Sequence, residues 1–321
     1  MDYGEKIIID TDPGHDDAMA LILAFASQEL EISAVTTVCG NSSIENTTRN
    51  ARFILDFLSI NDTPLYSGAT KPLSRELIQA SVHGTSGLEG VDPDNESNLT
   101  GDAVEQLLHI VRSNPNQVVV VALGPLTNIA GAIQEDPKTM ELVKEIVLMG
   151  GAIDVPGNMN RVAEFNIFVD PEAADIVMKS DIKKTLVPLD ACDRVYMQME
   201  DLEALDDHRL RDLLTKMVGS YIANLEKVAG VSGAIMYDPL TIFFLLKPEV
   251  CETVDMNIQV ETKGEVTRGM TVVDKRKISD GKDPNATIVT YINRKTFIDE
   301  FITRLNQLPK NRQGSDNPRK G

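Results

Sequence analysis

The chain has 321 residues, a quarter of them charged, and a formal net charge of −18. That acidity argues against nucleic acid or an anionic membrane surface as the main partner, since both repel a protein of this sign. The length allows one large α/β domain or two ordinary ones, either able to bury a real core. Cys39, Cys192 and Cys251 are widely spaced and form no C-x-x-C. They read as small hydrophobes rather than as a disulfide framework or a cysteine metal site. The acidic N-terminus reaches its first strand within a few residues, which argues against a secretory signal. No apolar run approaches the roughly 20 residues that a bilayer-spanning helix requires. A reducing cytosol is the simplest setting.

In chain order, "KIIID" is predicted as a strand and "DDAMALILAFA" as the helix after it. "ISAVTTV" is the next strand, followed by a helix near "NTTRNARFILDFL". "HGTSGLEGVDPDNESNLTGD" (83–102) is Gly- and Asp-rich without an apolar period, and reads as a mobile loop able to act as a lid. "QVVVVAL" leads into a helix at "TNIAGAIQ", with Thr127 as its N-cap. "EIVLM" is a further strand, and "KKTLVPL" follows a helix over "PEAADIVMK". Strands built almost wholly of Val, Ile and Leu suit a parallel sheet covered on both faces. Their alternation with helices predicts an open doubly wound α/β fold with a mainly parallel sheet. Residues 1–307 are expected to form a single domain, because no linker or repeat divides them, and 308–321 a disordered polar tail.

"DTDPGHDD" places Asp10, Asp12, Asp16 and Asp17 within eight positions, just past the first strand. Aspartates cap helices and favour the positive end of the helix dipole, but that accounts for one or two of them, not four. Crowded, desolvated carboxylates must be protonated or share a cation. No lysine or arginine lies between Lys6 and Arg49. A hard divalent cation would neutralise them, with Ca²⁺ favoured over Mg²⁺ if several carboxylates and backbone carbonyls take part. Ligands of doubly wound folds bind beyond the carboxyl ends of the strands. Asn41, Thr127, Asn158, Glu164, Asn166 and Asp238 fall at or near other such ends, and amides and carboxylates together suit a polyhydroxylated ligand such as a sugar.

These residues carry a resemblance to the inosine-uridine-preferring nucleoside hydrolase family. The hallmark D-x-D-P-G-x-D-D is intact, and it is followed in family order by "TTVCGN", "HGTSGLEG", "ALGPLTNIA", "VLMGGA", "GNMNRVAEFNIFVDPEAA", "YDPL" and "TRGMTVVD". The resemblance implies one open α/β domain that binds one Ca²⁺ and cleaves the N-glycosidic bond of purine or pyrimidine ribonucleosides. It also implies a cytoplasmic enzyme of nucleoside catabolism and salvage, assembled as a homodimer or homotetramer. By the resemblance, Asp12, Asp17 and Asp238 are the calcium carboxylates, and the Leu123 carbonyl is a further ligand. Asp12 is then also the general base, while Asp16, Asn158, Glu164 and Asn166 hold the ribose, with Asn41 close to metal and sugar. Asp10 supports this shell.

The chain departs from the family at Tyr237, where many members carry a histidine that helps protonate the departing base. His83 matches the histidine of the pyrimidine-preferring branch. Either Tyr237 or His83 can therefore be the leaving-group acid, and a tyrosine is the weaker acid at neutral pH. His15, in the motif's variable position, and His109 and His208, in predicted helices, are expected to be structural or solvent-facing. Two other readings compete with this one. A haloacid-dehalogenase-type phosphatase shares the strand and D-x-D but lacks P-G-x-D-D and "AEFN". A non-catalytic, calcium-dependent nucleoside-binding protein is conceivable because of Tyr237.

Overall fold

The computed structural model describes residues 4–91, 93–94, 99–276, 278 and 281–309. Its strands are β1 (Glu5–Thr11), β2 (Leu30–Thr37), β3 (Leu65–Ser67), β4 (Val118–Ala122), β5 (Glu145–Met149) and β6 (Lys184–Val187). They continue as β7 (Tyr196–Met197), β8 (Ala234–Ile235), β9 (Glu252–Met256), β10 (Ile258–Val260), β11 (Thr271–Val273) and β12 (Ala286–Tyr291). Eight of these form one sheet in the order β3-β2-β1-β4-β5-β6-β12-β9, parallel except where β9 meets β12. β10–β11 and β7–β8 are small antiparallel pairs.

Alternation of side chains along each strand divides the core into two layers. Ile7, Ile9, Val119 and Val121 pack on one face with helices His15–Phe25, Tyr237–Leu246 and Arg294–Leu305. Ile8, Val118 and Val120 pack on the other with helices Ala103–Ser113, Thr127–Glu135 and Pro171–Lys179. Both faces are covered, which is why the strand sequences are almost uniformly aliphatic. Strand order runs outward to β2 and β3 on one side of β1 and to β4 on the other. The crevice at this reversal is where open α/β sheets place ligands, and the aspartate-rich turn opens into it.

Helix Pro171–Lys179 coincides with the predicted segment, and the second helix covers Ile44–Phe57. Thr127 is the first helical residue rather than the cap; its Oγ1 donates instead to Asp170 Oδ2 at 2.7 Å. The expected mobile loop is docked over its first part. Ser81–His83 form a 3₁₀ turn, Leu88 is fully buried, and Asn224 Nδ2 donates to the Val82 carbonyl and to Glu89 Oε2. Contacts with the distant helix His208–Ala229 hold this piece, a cause that no local period announces. Residues 92 and 95–98 of that loop, and residues 310–321 of the expected tail, lie outside the described residues. Cys39 and Cys192 are buried, Cys251 is half-buried, and all three are free. Among the described residues, no helix is long and apolar enough to cross a membrane.

Candidate active site

β1 ends in the turn that carries the four aspartates. Gly14 is the N-cap of helix His15–Phe25, and its amide donates to Asp17 Oδ2 at 3.0 Å. Asp17 Oδ1 accepts from Thr11 Oγ1 at 2.6 Å and from the Asp12 amide at 3.3 Å. Capping thus occupies Asp17 alone. Asp10 points elsewhere: its Oδ1 accepts from Thr36 Oγ1 (2.5 Å) and Asn128 Nδ2 (2.7 Å), which tie β1 to β2 and to helix Thr127–Glu135. Burial pushes the Asp10 carboxyl up to about 6, against the pull of those two donors.

Asn41, just beyond β2, joins Asp12 to Asp17. Its amide donates to Asp12 Oδ2 at 2.6 Å, and its Nδ2 reaches Asp17 Oδ2 at 3.0 Å. Helix Tyr237–Leu246 brings Asp238 to the same point, where one oxygen each of Asp16, Asp17 and Asp238 lie within 4.8 Å of one another. All four carboxylates are buried. Burial, and after it the charge of Asp17, hold Asp12, Asp16 and Asp238 well above the usual carboxylate range. Asp12 Oδ1 and Asp16 Oδ1 are buried without a hydrogen-bond partner. Such groups are costly unless a charge or donor meets them. The donor set is all oxygen, anionic and crowded, so it fits a hard divalent cation. Gly124 leaves room for the Asp12 carboxylate, because a Cβ there would come within 2.5 Å of Asp12 Oδ1.

A cavity of about 450 Å³ adjoins the cluster, bordered by Asp16, Asn41, Leu123, Asn158, Glu164, Asn166 and Asp238. The sugar-binding candidates therefore converge although they come from three separate segments. Glu164 caps the short helix Phe165–Val169, accepting from Asn166 N (2.8 Å), Ile167 N (3.1 Å) and Gly151 N (3.2 Å). Burial lifts it to about 7 while these amides pull the other way. Asn166 Nδ2 donates to the Leu123 carbonyl at 2.7 Å and to the Met149 carbonyl at 3.2 Å. Asn158 is exposed at the cavity, which Tyr237 also borders.

The rest of the cavity wall is largely apolar, with Val82, Met159, Tyr221, Leu225 and Ile235, and both acid candidates border it. Burial, then the charge of Asp193, push the Tyr237 hydroxyl well above its usual value. Burial, then neighbouring His15, push His83 well below its own. His83 Nε2 lies 3.7 Å from Asp16 Oδ1. His109 and His208 are exposed, as expected, whereas His15 is fully buried against His83. Sequence reasoning missed Thr11, Asn128, Tyr221 and Asp193. Thr11 stands inside the motif and was open to detection as a donor; the others carry no local signal.

A model of the inosine-uridine preferring nucleoside hydrolase family matches residues 7–299. The pyrimidine-specific ribonucleoside hydrolase RihA of Salmonella paratyphi C is 41% identical over 305 residues, which cover 93% of this chain and 97% of the relative. The RihA of Citrobacter koseri is 40% identical over the same length. Among solved structures, the plant nucleoside hydrolase PpNRh1 superposes with a TM-score of 0.87 at 31% identity, covering 94% of this chain and 99% of that one. The purine-preferring ribonucleoside hydrolase from Gardnerella vaginalis gives 0.85 at 30% identity, covering 94% and 98%. With its intact aspartate motif beside a cavity that has a polar end and an apolar wall, the chain belongs to the inosine-uridine-preferring nucleoside hydrolase family and is an N-glycosyl hydrolase of ribonucleosides.

Proposed function

We propose that the hydrolysis depends on one Ca²⁺, held by the carboxylates of Asp12, Asp17 and Asp238 and the carbonyl of Leu123. The observation that carries this reading is the convergence of buried Asp17 and Asp238 oxygens near Asp12, whose buried Oδ1 has no hydrogen-bond partner. When bound, the cation neutralises the crowded carboxylates and makes water more acidic. Asp12 Oδ1, free of other donors, takes the proton of the water that attacks the anomeric carbon. Asp16 and Glu164 accept from ribose hydroxyls, while Asn41, Asn158 and Asn166 complete the sugar contacts. Their negative charge and dipoles face the sugar as it becomes oxocarbenium-like, which stabilises the transition state.

His83 protonates the leaving base in this reading, and Tyr237 forms a wall of the base pocket. Burial carries both groups away from neutrality, but His83 alone presents a nitrogen toward a carboxylate, Asp16. The similarity to relatives named as pyrimidine-specific puts pyrimidine ribonucleosides first among the substrates. The family resemblance further supports a cytoplasmic homodimer or homotetramer engaged in nucleoside catabolism and salvage.

Incubation with a panel of ribonucleosides, with and without chelator, tests the reading. Base and ribose should appear in equal amounts, cease after chelation and return with added Ca²⁺. Full activity in metal-free protein would overturn the calcium assignment. Stability should follow the metal, because a ligand bound only by the folded state adds about 2.7 kcal/mol at a hundredfold excess over its dissociation constant.

Chelated protein should also respond to pH in a definite direction. Asp10 and Glu164, raised to about 6 and about 7, bind more protons folded than unfolded. Their contribution is therefore most favourable below the unfolded carboxylate range and is lost as pH rises through those values. The thermal midpoint of the chelated protein should be lower at pH 8 than at pH 5, which a calorimetric pair of scans would check.

A further inference from the structure

His15 fills the variable position of the aspartate motif, yet it is fully buried and bears on His83 through two groups. Its backbone amide donates to His83 Nδ1 at 3.2 Å, and its ring Nδ1 lies 3.1 Å from the same nitrogen. The other ring nitrogen, His15 Nε2, is 3.0 Å from the Glu89 carbonyl. A carbonyl can only accept, so His15 Nε2 carries a hydrogen, and the neutral ring offers a bare Nδ1 to His83.

Two states of His83 follow. When its Nδ1 is bare, the His15 amide satisfies it; when its Nδ1 carries hydrogen, the bare His15 Nδ1 accepts. In both states Nδ1 is engaged, and Nε2 is the nitrogen left toward Asp16 and the cavity. The rings are also clamped by Tyr221, which stacks on His15 at 5.3 Å and on His83 at 5.2 Å. A Cβ at Gly14 would come within 2.8 Å of the His83 ring, so the chain turn leaves only the space the imidazole needs. Glu89 is itself held in place, since Asn224 Nδ2 donates to its Oε2 at 2.8 Å.

We infer that His15 is a positioning residue for leaving-group protonation: through the chain Glu89 carbonyl–His15–His83 it holds the His83 imidazole with Nε2 aimed into the base pocket. This inference rests on His83 being the group that protonates the base. A ring held this way needs no search at the moment of proton transfer, whereas misplacement of a reacting group by about 1 Å can cost 10²-fold in rate.

The test compares uridine with 4-nitrophenyl riboside, whose leaving group needs no proton, on the calcium-loaded enzyme. His15→Phe keeps a ring against Tyr221 and removes both nitrogens. It should lower turnover on uridine by about tenfold to a hundredfold, with KM within about threefold and the nitrophenyl substrate nearly unaffected. His15→Asn places an amide where Nδ1 stood and should recover most of the loss. If Phe prevents folding, as loss of both substrates and of the cooperative melt would show, His15→Ala takes its place. Equal losses on both substrates, or no loss on uridine, would overturn the inference. His83→Ala separates the two layers: a selective loss on uridine there without one in the His15 variant sinks the positioning role alone. Absence of a selective loss in His83→Ala sinks the protonation role, and the inference with it.

Discussion

Asp12→Ala is expected to reduce turnover on uridine by about 10⁴-fold, the upper range for losing a general base, and to lower the calcium held per chain. Asp12 serves two purposes in the proposed reaction, so both readouts should move together. Its Oδ2 is already occupied by the Asn41 amide at 2.6 Å, and only Oδ1 remains for water or cation. Asp238→Ala should lower calcium content as well, since it removes one of the buried oxygens that converge with Asp17. Metal analysis of dialysed protein checks both variants. Full calcium occupancy in each would refute the ligand assignment, whatever the activity.

Uridine should be hydrolysed with a kcat/KM roughly 10⁴-fold or more above that of 2′-deoxyuridine, because a site built to pair a hydroxyl rejects the analogue without it. Asp16, Glu164 and Asn166, the proposed sugar contacts, are buried and border the cavity. Without the hydroxyl, a buried acceptor such as Asp16 Oδ1 would stay unpaired, which costs more than the hydrogen bond itself contributes. Comparable efficiency on the two nucleosides would remove ribose recognition from the reading. Asp16→Asn should narrow the gap between them.

Much of this site was legible because its signals are local. The run from Ile7 to Asp17 combines an aliphatic strand, a Pro-Gly turn and a helix start, and β1 and helix His15–Phe25 follow that pattern. Four carboxylates without a nearby cation called for a neutraliser on electrostatic grounds alone. Asn158, Glu164 and Asn166 were open to suspicion because they cluster in a stretch without a regular period. Thr127 misled, since a residue that can cap a helix can equally serve a neighbouring one, and Asp170 claims its hydroxyl.

Sequence by itself determined the sheet-and-helix alternation, the acidic turn and the family, because side-chain period, turn chemistry and a contiguous motif act over short distances. Convergence was decided only by the fold. Asp238 meets Asp17 because helix Tyr237–Leu246 packs against helix His15–Phe25 in one core layer, and that packing brings together residues remote in the chain. The same cause placed Tyr221 on the two histidines and docked the turn carrying His83, where a Gly- and Asp-rich sequence suggested only mobility. His15 shows the division most clearly. Its letter in a variable position is uninformative, and its role follows from a buried nitrogen 3.1 Å from His83, a distance that only tertiary packing sets.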